Sequence, residues 1–78
     1  MKRNLTDIVS DTYTNPSGYT LYVVLNDAII KNEYLELSFR NSTPMSSSFF
    51  NSSLGELIDQ HGLDKVKQHI KLTGLSKT

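Results

Sequence analysis

Apolar positions fall into three kinds of pattern along this chain. Leu21, Leu25, Ala28 and Ile29 recur at i, i+4, i+7 and i+8, the spacing of one helical face. The run 19–31 holds thirteen residues without a turn signal, which suits a helix better than a strand despite Val23-Val24 and the nearby tyrosines. Ser17 is an N-cap candidate there, and Lys31 places a cation at the C-terminal end of the helix dipole. Residues 34–39 alternate instead. Leu35, Leu37 and Phe39 point one way and Tyr34, Glu36 and Ser38 the other, which predicts a strand with Glu36 and Ser38 facing water or a partner. The helical spacing returns at Phe50, Leu54, Leu57 and Ile58 and predicts a second helix over about 48–61, closed by Gly62 as the C′ residue. Asn51, Ser52, Glu56, Asp59 and Gln60 belong to its outer side.

The remaining segments are shorter. Residues 4–10 read as a weak strand, and the stretch 11–18, with Asn15-Pro16-Ser17-Gly18, reads as a loop leading into the first helix. Pro44 closes the connection 40–45 and keeps Thr43 out of helical geometry, so the next helix starts beyond it. Asp64 offers a cap for a short helical turn over 64–68. Ile70 and Leu72 around Lys71 suggest a last strand near 69–73, and 74–78 reads as a frayed tail. The order β, α, β, α, β predicts a single small α/β domain over 1–78, with a short, about three-stranded sheet, two main helices and right-handed crossovers.

Composition narrows the function classes. An apolar fraction of 37% in 78 residues, against the usual ~45–50%, leaves a thin stability margin and little room for a self-contained enzyme. Without cysteine, disulfide and thiolate metal chemistry are excluded. Eight basic and eight acidic side chains give zero net charge, which opposes nucleic-acid binding. No apolar run is long enough to span a bilayer, and Asn4, Thr6, Asp7 and Ser10 interrupt any leader-like segment after Lys2-Arg3. The expectation is a soluble cytoplasmic domain that binds neither membrane nor nucleic acid and needs no cofactor or metal. His61 and His69 lie eight residues apart, which is no metal-ligand spacing. Neither histidine forms a readable triad with a serine, so a hydrolase ranks last.

The chemistry-bearing feature is Ser46-Ser47-Ser48, placed where the 34–39 strand hands over to the second helix. Backbone N–H groups at a helix start lack partners, and the dipole there favours an anion. A serine in this position either caps the helix or, if phosphorylated, meets a stabilising field while its charge remodels the surface. Phe49 and Phe50 cannot share one helical face. With Phe50 assigned to the core, Phe49 is either an exposed anchor beside the serines or a cover for a core edge. Gly55, inside the helix, implies close packing.

The stretch Leu35-Glu36-Leu37-Ser38-Phe39, then Met45-Ser46-Ser47-Ser48-Phe49-Phe50, then Leu54-Gly55 and Leu57, resembles the STAS superfamily. It is more closely similar to a compact bacterial STAS-like family of unassigned function. The likeness spans about residues 4–75, with its specific part at 35–57, and upstream takes in Ser17-Gly18 and the first helix. The resemblance implies an α/β fold. It also implies a non-catalytic regulatory module akin to anti-sigma-factor antagonists, in which a serine at the start of the helix after a central strand is phosphorylated and partner binding is switched off. Ser47 matches that position and Ser48 follows it. Ser46 stands where the antagonists carry Asp, and Phe49 where they carry Gly. The implied partner is an ATP-binding, histidine-kinase-like protein. The chain is shorter than a full STAS domain, and a reduced sheet leaves edges that a homodimer or partner could pair. The expected contact surface is 42–53, with Ser46, Ser47, Ser48, Phe49 and Ser52 as its residues. The alternative is a sensor that binds a small anion or nucleotide at the N-terminus of the 48–61 helix.

Overall fold

The computed structural model describes residues 2–40 and 44–74. Part of the 40–45 connection and the tail beyond Gly74 lie outside the described residues. In order come β1 (Lys2–Asn4), α1 (Leu5–Ile8), α2 (Asn15–Ile30), β2 (Leu35–Ser38), α3 (Ser47–Phe50), a π-helical segment (Asn51–Gly55), α4 (Glu56–His61), α5 (Leu63–His69) and β3 (Ile70–Thr73).

The three strands form one parallel sheet in the order β1-β2-β3. Lys2 is in register with Glu36, and Leu35 with Ile70. Both crossovers step the same way along the sheet, and with the common right hand of such connections they lie on one face of it. Leu35, Leu37, Phe39 and Ile70 are buried on that face, as the alternation of 34–39 requires. Lys2, Glu36 and Lys71 stand abreast on the other. Glu36 meets Lys2 there in a loose ion pair, at 3.9 Å. Ser38 also lies on that open face, but it is only 6% exposed, less open to water than the alternation predicts. The chain leaving β3 covers it: a Cβ at Gly74 would stand 3.2 Å from the Ser38 Oγ.

The first helix buries the face the spacing predicts, Leu21, Leu25, Ala28 and Ile29, and adds Tyr22, Ser17 and Gly18. It begins earlier than expected. Thr14, not Ser17, is the N-cap, its Oγ1 accepting from the Ser17 N–H at 3.4 Å, and Pro16 sits inside the first turn where a missing N–H costs nothing. The helix stops at a Schellman arrangement. Asn32 takes φ 57°, its N–H donates to the Ile29 carbonyl at 3.0 Å, and the Glu33 N–H donates to the Ala28 carbonyl at 2.8 Å.

Residues 4–10 are not a strand. The strand lies earlier, over Lys2–Asn4, and shares only Asn4 with that stretch; Leu5–Ile8 make one helical turn with Leu5 fully buried. At the other end, Gly62 with φ 87° links α4 to α5 through one residue, a conformation that suits only glycine. Gly62, rather than Asp64, is therefore the N-cap of α5; Asp64 lies in its first turn and makes no capping bond.

Candidate functional site

The loop before α2 is organised by one carboxylate. Asp11 accepts from the N–H groups of Tyr13 at 3.1 Å and Thr14 at 2.9 Å, from the Thr14 hydroxyl at 2.8 Å and from the Ser17 hydroxyl at 2.9 Å. Partial desolvation raises its pKa; these four donors outweigh that and hold the carboxyl down at about 2. The folded value lies below the unfolded ~3.9, so the charged form stabilises the fold in full above about pH 4 and ceases to as pH falls through about 2. Asp11→Asn is expected to melt below wild type at neutral pH, with the gap closing in melts taken from about pH 4 down to about pH 2. A gap that stays constant would show that the carboxylate charge does not hold this loop.

This loop straps down the serine bend. The Thr12 hydroxyl donates to the Pro44 carbonyl at 3.2 Å, the Ser46 N–H donates to the Thr12 carbonyl at 3.0 Å, and the Ser46 hydroxyl donates to the Tyr13 carbonyl at 3.0 Å. The same Ser46 Oγ accepts from the Phe49 N–H at 3.1 Å. Of the three serines, Ser46 is thus the N-cap and is fully engaged. Ser47 and Ser48 occupy the first helical positions and are exposed.

The two phenylalanines are reversed relative to the sequence expectation. Phe49 is 0% exposed and Phe50 is 40% exposed. The cause is the π-helical segment, a wide turn in which the Glu56 N–H reaches back five residues to the Asn51 carbonyl. An extra residue in that turn brings Phe49, not Phe50, into line with Leu54 and Leu57. Ser53, buried within the segment, donates to the Phe49 carbonyl at 2.7 Å. The exposed aromatic beside the serines is accordingly Phe50.

Ser52 is also committed elsewhere. Its hydroxyl donates to Asn15 Oδ1 at 3.0 Å, tying the wide turn to the start of α2. The close packing expected at Gly55 is present, an added Cβ standing 3.3 Å from the Phe50 carbonyl oxygen, and it is tighter at Gly18, where an added Cβ would stand 2.7 Å from the Phe49 carbonyl oxygen. Residues 42 and 43 of the expected surface lie outside the described residues.

Sequence reading missed the Asp11, Thr12 and Thr14 clasp. Its signal was present: Asp and Thr three apart, then Asn15-Pro16, the pattern of a capped helix start. The histidines stay apart from the serines, His61 Nε2 lying 2.6 Å from Asn26 Oδ1 and His69 Nε2 2.8 Å from Asn32 Oδ1. Among the described residues, no three His, Asp or Glu side chains gather to hold a metal ion, and no helix is long and apolar enough to cross a membrane.

A family model described as the STAS-like domain of unknown function (DUF4325) matches residues 23–78. The chain belongs to that family. The STAS-like match begins within α2 and takes in β2, the serine bend, the wide turn and β3. It agrees with the resemblance carried by residues 35–57, and the parallel three-stranded sheet is the α/β core that resemblance implies. Domains of the STAS-like class are generally non-enzymatic. No curated protein and no solved structure matches the chain.

Proposed function

We propose that this STAS-like domain is a regulatory interaction module that docks a partner protein through the first turn of α3. The observation that carries the reading is a division of labour in the serine bend. Ser46 locks the bend to the 11–14 loop, while Ser47 and Ser48 are left exposed at a helix start next to the half-open ring of Phe50. An exposed aromatic flanked by small polar groups is an anchor that a partner's pocket can desolvate. A phosphate on Ser47 would sit favourably against the helix N-terminus, yet it would place about −1.5 to −2 charges beside that anchor and repel a partner fitted to the neutral surface. Within this reading the partner is an ATP-binding, histidine-kinase-like protein, as in the antagonists this family resembles.

The test is affinity capture from the source cell's extract, with wild type, Ser47→Asp, Phe50→Ala and the remote surface variant Lys67→Ala as baits. A protein retained by wild type and Lys67→Ala should fall at least about tenfold on both Ser47→Asp and Phe50→Ala. Equal recovery on all four baits would remove the serine turn as the docking surface.

A further inference from the structure

The open face of the sheet carries a second polar site. At the carboxyl ends of the three strands, Asn4, Ser38 and Thr73 stand abreast through the parallel register. They border a cavity of about 520 Å³ whose wall also includes Lys2, Asp7, Glu36 and Arg40. The register thus lines up three polar side chains at one end of the sheet, beside the charged groups of the wall.

The wall's chemistry defines the ligand. Arg40 is exposed and, among the described residues, has no carboxylate within ion-pairing distance; Lys2 has only Glu36 at 3.9 Å. Three cationic residues, Lys2, Arg3 and Arg40, border the cavity and suit a phosphate. Asp7 and Glu36 in the same wall accept hydrogen bonds and would repel a bare anion, but they suit the hydroxyls of a polyol. Ser38, almost fully buried, accepts from the Arg40 N–H at 3.3 Å and keeps its own proton to donate. The described wall presents no aliphatic or aromatic side chain, so among the described residues it offers no apolar surface for an acyl chain to bury against. We propose that this crevice binds a small sugar phosphate, with its phosphate on Arg40 and Lys2 and its hydroxyls on Asp7, Glu36 and the Asn4–Ser38–Thr73 row.

Ribose 5-phosphate, ribose and inorganic phosphate serve as probes, read by amide chemical shifts in the full chain. Ribose 5-phosphate should move the Asn4, Ser38, Arg40 and Gly74 amides. It should bind at least about tenfold more tightly than either fragment and lose about tenfold on Arg40→Ala. Arg40 is exposed, so Arg40→Ala should melt with wild type; Lys2→Ala provides a second reading at the same rim. The proposal is overturned by unmoved amides at millimolar sugar phosphate, by wild-type affinity in both variants, or by inorganic phosphate binding as tightly as the sugar phosphate.

Discussion

Phe49→Ala is expected to lower the free energy of unfolding by about 3–5 kcal/mol, whereas Phe50→Ala costs less than about 1 kcal/mol. The two residues are adjacent and chemically identical, so the contrast isolates burial. Phe49 is wholly buried in the core that also holds Leu21, Leu25, Leu54 and Leu57, and its removal leaves a cavity in a close-packed interior. Phe50 already has much of its ring in water. At about 0.05–0.15 kcal/mol per residue, a domain of this length holds only several kcal/mol in total, so Phe49→Ala removes a large part of it. Urea unfolding of the two variants beside wild type measures the difference. If Phe50→Ala proved the costlier, the helix would be an uninterrupted α-helix in solution and the wide turn would not exist there.

Gly18→Ala should destabilise by about 1–3 kcal/mol, against the sign that helix propensity alone gives. In an open helix interior the change from glycine to alanine gains about 1 kcal/mol. Here the new methyl would lie 2.7 Å from the Phe49 carbonyl oxygen and 2.8 Å from the Ser52 Cβ. Neither is the loose end of a flexible side chain. The backbone of the 47–61 helix would have to retreat, loosening the Ser52–Asn15 tie as it went. Gly55→Ala is the comparator: its nearest neighbour, the Phe50 carbonyl oxygen, stands at 3.3 Å, and the effect should stay within about 1 kcal/mol. The same urea titrations decide it, and a Gly18→Ala variant more stable than wild type would mean that the two helices do not approach this closely.

These two positions also mark where the sequence was readable and where it was not. Strand β2 and the buried face of α2 were legible because one period governs each of them throughout: Leu35, Leu37 and Phe39 by twos, and Leu21, Leu25, Ala28 and Ile29 by helical spacing. Strand β1 was not, because an edge strand made of Lys2, Arg3 and Asn4 has no apolar residue to alternate. The serine bend was located correctly, but its geometry was not, because a single π turn shifts the phase of everything before it by one residue. Phe50, Leu54 and Leu57 satisfy a regular α spacing as text, while the fold uses Phe49, Leu54 and Leu57. Ser38 points to the expected side of the sheet, yet it is covered by Gly74, a contact between segments remote in sequence that no local pattern encodes.

The parallel register has a consequence for how the chain assembles. Lys2 must find Glu36, and Leu35 must find Ile70, each across a full crossover, so no hairpin can seed the sheet and loop-closure entropy opposes both pairings. The segment 11–33, by contrast, starts at the Asp11 clasp and ends at the Asn32 stop through contacts a few positions apart, and should gain structure first. Until β3 has left the ribosome, β2 has one side with nothing to bond to. That interval is when a nascent copy would be most prone to pair with a neighbour.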